Sequence, residues 1–264
     1  MILLWQLKNY KRKSALSNES LSDKEKIRYS RQLMLKEVGF DGQKKLKKAK
    51  VLIIGIGGLG CPAALYLAAS GIGELTLVDN DKVELTNLQR QILYKINHLG
   101  QNKTLAAKKI LASLNNEITI NIVNEKLSET NVEALINSAD IVLDCSDNFT
   151  TRYLVNHYCV SLKKVLISAA AIATQGQLMV FDNRQQGLGC YQCLFEPSQQ
   201  QAALNCENSG VLSPLLGVMG TMQATQTLNY ILGHMNSNQF ISFNALTFEQ
   251  KKISFSANPD CDIC

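Results

Sequence analysis

One stretch of about thirty residues restricts the fold more than any other part of the chain. The segment "VLIIGIGGLGCPAALYLAASGIGELTLVDND" (51–81) reads as a strand, a glycine turn, a helix and a second strand that ends in an acid. Its glycines Gly55, Gly57 and Gly60 fit G-x-G-x-x-G, in which backbone N–H groups and a helix N-terminus favour phosphate. Asp79 follows the second strand, where an acid can bind ribose hydroxyls. The segment predicts a nucleotide site and leaves open whether the ligand is NAD or another nucleotide.

Short apolar runs alternate with helical patterns through the first two thirds of the sequence. The predicted strands are 51–55, 75–79, 118–123, 140–145 and 164–170. The predicted helices between them are 59–70, 104–114, 128–138 and 149–162. Such alternation is typical of an α/β fold with a doubly wound, Rossmann-like and mostly parallel sheet.

The pattern changes after about residue 175. A long apolar helix (211–232) and two further strands (239–247 and 251–256) follow there. We therefore expect a basic, disordered extension at 1–20, a nucleotide-binding domain at 21–175 and a C-terminal part at 176–264 that packs on the same fold.

The bulk composition excludes several classes of protein. Hydrophobic residues make up 46% of 264 residues, which allows a sizeable core, but no run approaches the roughly 20 apolar residues of a membrane-spanning helix. The apolar piece at 2–5 precedes the basic one, the reverse of a signal peptide, so a cytoplasmic protein is expected. The net charge of +5 includes the cluster 42–50, which lacks interleaved aromatic residues and indicates a solvated helix face rather than a nucleic-acid site.

The eight cysteines fall into three groups. Two C-x-x-C pairs, formed by Cys190 with Cys193 and Cys261 with Cys264, are the ligand set of a tetrahedral Zn²⁺ site, with redox chemistry as the rival interpretation. We expect this site to staple the C-terminal subdomain. Three cysteines, Cys61, Cys145 and Cys159, are expected to be packing residues. Cys206 lies in the polar segment "SQQQAALNCENSG" and is either a buried small hydrophobe or a nucleophile.

Several motifs in order carry a resemblance to a known family. After "GIGGLG", with the additional Gly58, the chain continues with "NLQRQ" (87–91), "GQNK" (100–103) and "DCSDN" (144–148), and "RYSRQ" (28–32) precedes all of these. The chain resembles the ThiF/MoeB/HesA adenylyltransferases, which activate ubiquitin-like sulfur carriers, from residue 28 to the final C-x-x-C. The resemblance implies that ATP adenylates the C-terminal glycine carboxylate of a carrier ending in Gly-Gly, for thiocarboxylate formation in thiamine or molybdopterin biosynthesis.

The resemblance also implies roles for individual residues. Arg90 and Lys103 match phosphate contacts, Asn87 matches a position beside the nucleotide, and Asp147 matches an aspartate linked to Mg²⁺. Arg31 matches an arginine that reaches the nucleotide of the other subunit of a homodimer. Asp144 is expected to be structural.

The sequence leaves open the source of sulfur and several alternative functions. The adenylate would need a sulfur donor, a sulfurtransferase or a cysteine desulfurase, and Cys206 is a candidate for catalysis. An NAD-dependent oxidoreductase, a tRNA-modifying adenylating dehydratase and a non-catalytic zinc scaffold are the alternatives.

Overall fold

The protein was analysed as a computed structural model that describes residues 20–185, 187–197, 210–234 and 238–264. The predicted extension lies outside these residues except for Ser20, and so does Cys206. The chain divides between Lys44 and Lys45 into two compact units. No helix among the described residues is long and apolar enough to cross a membrane.

The N-terminal unit contains short helices. Helix α1 is Asp23–Arg28 and α2 is Ser30–Leu33, while α3, Gly39–Lys48, includes the point of division. Ser22 caps α1: its side chain accepts the Glu25 N–H at 3.1 Å, and the Glu25 carboxylate accepts the Ser22 N–H at 2.7 Å, a reciprocal capping box. The capping box explains how a helix as short as α1 is stabilised at this position.

The second unit is built on one eight-stranded sheet. Its strands are β1 Lys50–Ile54, β2 Glu74–Val78, β3 Thr119–Val123, β4 Ile141–Asp144, β5 Val165–Ile172, β6 Gln175–Asp182, β7 Gln239–Asn244 and β8 Gln250–Ser254. The order is β3-β2-β1-β4-β5-β6-β7-β8. Strands β1 to β5 pair in parallel and β5 to β8 pair antiparallel. The mostly parallel α/β prediction is confirmed, and the sheet runs without a break through residues on both sides of position 175.

Helices cover both faces of this sheet. They are α4 Gly60–Ser70, α5 Lys103–Leu114, α6 Val132–Asn137, α7 Phe149–Ser161, α8 Tyr191–Leu194 and α9 Ser213–Leu232. Successive strand residues point to opposite faces, so that Val51 and Ile53 enter one buried cluster and Leu52 and Ile54 enter the other. Helices α4, α5 and α9 pack in the first cluster, and α6 and α7 in the second. This arrangement confirms the doubly wound prediction.

The strand order places a crevice at one end of the sheet. The chain moves from β1 to β2 and β3 on one side, and returns to β4 and β5 on the other. Ligands of open parallel sheets bind where the order reverses in this way, outside the carboxyl ends of the strands.

Candidate functional site

A cavity of about 570 Å³ opens at this crevice, beyond the carboxyl ends of β1, β2 and β4. Eight of the nine residues predicted to bind the nucleotide line it: Gly55, Gly57, Gly58, Asp79, Asn87, Arg90, Lys103 and Asp147. Gly60 is not among the lining residues. The volume lies within the range of small-molecule and cofactor sites. The structure therefore brings together residues that the sequence spreads over more than ninety positions.

The glycines of the first loop have different reasons to be glycine. Gly55 has a φ of +86°, and a Cβ there would lie 2.9 Å from the Cys145 carbonyl oxygen. A Cβ on Gly60 would lie 2.0 Å from the Gly55 oxygen. At Gly58 it would meet the Leu216 side chain of α9 at 2.7 Å, whereas at Gly57 it would meet only the Gln91 amide at 3.6 Å. Gly55, Gly58 and Gly60 thus allow close packing, and Gly57 leaves the loop open to the cavity.

Asp79 fastens the glycine loop to the end of β2. One carboxylate oxygen accepts the Ile56 N–H at 2.7 Å, and the other accepts the Asp81 N–H at 2.8 Å. Burial raises the pKa of the Asp79 carboxyl above its usual value, while the Lys103 charge and these two N–H groups oppose that rise. Asp79 therefore orients the loop, and its contact with ribose stays a prediction.

The two cations predicted to contact phosphate both border the cavity. The Lys103 side chain, only 7% exposed, pairs with the Asp81 carboxylate at 2.8 Å. Arg90 is half-buried, and its guanidinium donates to the Thr86 carbonyl at 3.0 Å. Asn87 is buried, and its side-chain oxygen accepts the Glu84 N–H at 3.1 Å, which closes the turn that carries Arg90. The turn and the start of α5 thus direct positive charge to one wall, as binding of phosphates requires.

The loop after β4 carries an exposed acid above a buried ion pair. Asp147 is exposed, and its carboxylate oxygen lies 3.4 Å from the Asn148 amide. Asn148 caps α7 by accepting the Thr151 N–H at 2.9 Å. Asp144, at the end of β4, is 1% exposed and pairs with Arg152 at 3.1 Å. The prediction that Asp144 is structural is thereby confirmed.

Arg152 was not singled out from the sequence. It is the centre of a buried polar layer that it forms with Asp144, Ser146 and Ser168. Its guanidinium donates to the Ser168 hydroxyl at 2.8 Å, to the Ala169 carbonyl at 2.8 Å and to the Ser146 carbonyl. The Ser168 hydroxyl in turn donates to the Asp144 carboxylate at 2.7 Å. A charged residue inside the helical run "FTTRYLVNHYCVS" resembles any solvated helix charge, so no local signal distinguished it.

Gln223 of α9 supports the same loop from the other side. Its amide donates to the Asp144 carbonyl at 2.9 Å and to the Ile167 carbonyl at 3.1 Å, and its oxygen lies 3.3 Å from the Cys145 sulfur. Gln223 is fully buried, in a helix that also carries Thr221, Gln226 and Asn229. No local signal distinguishes it from these other polar residues of the helix, although its burial requires that its amide be paired.

The four C-x-x-C cysteines form a compact cluster away from the cavity. Their sulfur atoms all lie within 4.8 Å of one another. Four close pairs are separated by 3.3 to 4.0 Å, and tetrahedral zinc with bonds of about 2.3 Å sets sulfurs about 3.8 Å apart. The donor set and its spacing fit Zn²⁺, which would bind as a closed four-thiolate centre that stabilises the fold.

The other described cysteines are packing residues, as predicted. Cys61, Cys145 and Cys159 are all buried. Burial raises the pKa of the Cys61 thiol to about 12, and it raises the pKa of the Cys145 and Cys159 thiols still further. None of the three is activated as a nucleophile, since the reactive form of cysteine is the thiolate.

The predicted residue Arg31 belongs to the N-terminal unit, where it is exposed on α2. Its action across a dimer stays a prediction. The same holds for Cys206, which lies outside the described residues.

Comparison with known proteins identifies relatives. The chain is 42% identical over 246 residues to a molybdopterin-synthase adenylyltransferase of Escherichia coli, covering 92% of this chain and 98% of that one. It is 39% identical over 245 residues to the sulfur carrier protein ThiS adenylyltransferase of the same species, covering 92% and 97%. The crystal structure of E. coli MccB with ATP matches with a TM-score of 0.77 and 27% identity, over 90% of this chain and 74% of that one.

The chain matches nearly the whole length of the two adenylyltransferases, so the oxidoreductase alternative is not favoured. The ThiF family model matches residues 29–263. The chain therefore belongs to the ThiF family.

Proposed function

We propose that this chain is an ATP-dependent adenylyltransferase that activates the C-terminal glycine carboxylate of a small ubiquitin-like sulfur carrier. The observation that carries the proposal is the cavity that gathers Arg90, Lys103 and Asp147 beside the glycine loop. A hydride-transferring enzyme would leave these three charges without a common purpose. The names of the E. coli relatives support the same reaction.

The chemistry follows from where charge develops. The carrier carboxylate attacks the α-phosphorus of ATP, the bond to the bridging oxygen breaks, and pyrophosphate leaves with the negative charge. Arg90 and Lys103 would stabilise that charge from fixed positions, which is worth more in a partly desolvated cavity than in water. Asp147 and its neighbours would hold Mg²⁺, which would neutralise phosphate charge when bound.

We also propose which classes of protein supply the carrier and the sulfur. The two E. coli relatives are named for molybdopterin synthase and for ThiS, so carriers of both pathways are candidates. The acyl-adenylate is a mixed anhydride that a sulfur nucleophile can attack, and we propose a sulfurtransferase or a cysteine desulfurase as the donor. The cytoplasmic location stays a prediction.

Cys206 is proposed as a second nucleophile because it stands four positions before Gly210 in the sequence, and Gly210 lines the cavity. Val211 lines the cavity as well. Ala173, the residue after β5, donates its N–H to the Gly210 carbonyl at 2.9 Å and accepts the Leu212 N–H at 2.8 Å. With a persulfide donor present, the outer sulfur of a Cys206 persulfide would attack the acyl-adenylate, release AMP and leave an acyl disulfide that a reductant cleaves. Cys206→Ser should keep ATP–pyrophosphate exchange and lose this conjugate with the carrier in intact mass spectra. Formation of an unchanged conjugate would remove Cys206 from the mechanism.

Arg31 is proposed to act in the site of a partner subunit. Arg31→Ala and Asp147→Ala should each be inactive, while a mixture should recover activity because one composite site of the mixed dimer is intact. An active monomer would disprove this proposal.

The experiment that tests the function is carrier-dependent ATP–pyrophosphate exchange. The purified chain is combined in turn with a thiamine-type and a molybdopterin-type carrier ending in Gly-Gly. Lys103→Met should lower the exchange rate about a hundredfold or more, the scale of losing a preorganised charge at a phosphoryl centre. Lys108→Met is the matched control, because Lys108 is exposed on the same helix and does not line the cavity. Absence of exchange with both carriers, together with tight binding of NADH, would refute the proposal.

A further inference from the structure

Helix α7 connects the cavity to the cysteine cluster. Its first turn contributes to the cavity wall through Thr151 and Arg152. One turn later, Asn156 is 1% exposed and contacts the cysteine-bearing segment. Arg152 and Asn156 are four residues apart and therefore lie on one face of the helix, about 6 Å apart along its axis. Two buried polar side chains on one rigid element thus serve two different sites.

Asn156 is bonded at both ends of its amide. Its nitrogen donates to the Cys190 sulfur at 3.4 Å, and its oxygen accepts the Tyr191 N–H at 2.9 Å. Cys190 is fully buried, so water cannot replace the first of these bonds. An N–H donor to a cysteine sulfur stabilises the thiolate that binds metal and fixes its direction.

A second residue of α7 strengthens the contact. The Tyr153 hydroxyl donates to the Phe195 carbonyl at 2.9 Å, and its ring meets the Tyr191 ring edge-on with centroids 5.6 Å apart. The segment 190–195 is therefore held to the middle of α7 by several independent contacts. A shift of the segment relative to the helix would break or strain these contacts.

The other end of the same helix fixes the loop that carries Asp147. Arg152 is 4% exposed and binds the Asp144 carboxylate and the Ser146 carbonyl, the residues on either side of Cys145. A shift of α7 would move this guanidinium and strain a buried ion pair, which is costly where no water can compensate.

From these contacts we infer that Asn156 is a positioning residue that orients Cys190 and, through α7, couples the cysteine cluster to the wall of the nucleotide cavity. The inference rests on the proposed nucleotide site. When metal binds the cysteine cluster, it stabilises one position of α7. In that position Arg152 holds the Asp144–Asp147 loop. Metal and nucleotide binding are then favourable to each other.

The test compares Asn156→Leu with wild-type protein. Zinc affinity is measured by competition with a chromophoric chelator, and the Kd of ATP by equilibrium dialysis. We expect zinc affinity to fall about tenfold or more, as for other residues that orient metal ligands, and ATP affinity to fall at least about fivefold. Tyr158→Phe is the matched control: Tyr158 is on the same helix, and its hydroxyl makes an exposed bond to Glu129. It should change neither affinity.

A second measurement needs no variant and so does not depend on whether Asn156→Leu folds. Saturating ATP should tighten zinc binding by wild-type protein by the same factor by which zinc tightens ATP binding, because coupling free energies are reciprocal. Independent binding of the two ligands would overturn the inference, and so would an Asn156→Leu protein that loses zinc affinity but keeps ATP affinity. Wild-type protein that binds no ATP would defeat the proposed function as well.

Discussion

An acid on the rim of the cavity and an acid in the polar layer beneath it differ in solvent exposure and in pairing. Asp147 is exposed on the rim and has one long contact, with Asn148, whereas Asp144, three residues earlier, is 1% exposed and paired with Arg152. A ligand can reach the first carboxylate and cannot reach the second. Of these two acids, the one proposed to act on a ligand is accessible, and the one that holds the loop is buried and paired.

Removing the buried cation should give the largest effect. Arg152→Met should lower the free energy of unfolding by about 3–5 kcal/mol, because it leaves the Asp144 carboxylate buried without its partner. Chemical denaturation of wild-type and variant proteins measures this loss. Adding Asp144→Asn to Arg152→Met should recover part of it, and a double variant less stable than the single one would contradict the buried-pair explanation.

Removing the rim charge should affect catalysis and not folding. Asp147→Asn should reduce ATP–pyrophosphate exchange about a hundredfold, since the residue would hold Mg²⁺ at the phosphates. Its denaturation midpoint should match that of wild-type protein because Asp147 is exposed. Exchange is followed with and without added Mg²⁺, and a fully active variant would remove Asp147 from the proposed site.

A smaller effect is expected from removing the hydroxyl that bridges Asp144 and Arg152. Ser168→Ala removes a hydroxyl that donates to Asp144 and accepts from Arg152. The expected cost is about 1–2 kcal/mol in the free energy of unfolding, with a modest decrease in exchange, since the ion pair itself remains. A decrease in exchange as large as that of Asp147→Asn, at unchanged stability, would show that the layer acts directly on the ligand.

The glycine loop and Asp79 stand in a local pattern whose place at two strand ends follows from chain order, whereas Lys103 and Asp147 are indicated only by the family resemblance. Of the buried layer, the sequence indicates only that Asp144 is structural. The bonds from Gln223 to carbonyls of Asp144 and Ile167 join segments 79 and 56 residues apart, and depend on how α9 packs on the sheet. The same limit applies to Asn156, because an asparagine in a helix does not reveal which sulfur it will contact.

The strand order also has a consequence for the chain as it is made. Strand β1 pairs on one side with β2, some twenty residues later, but on the other side with β4, where Val51 lies opposite Ile141. At a synthesis rate of about 5–20 residues per second, one edge of β1 waits about 5–20 seconds for its partner. Four of the five residues of β1 are buried in the finished sheet. The nascent chain therefore exposes an apolar, unpaired strand edge for seconds, which makes it a substrate for ribosome-associated chaperones and a hazard for aggregation when they are saturated.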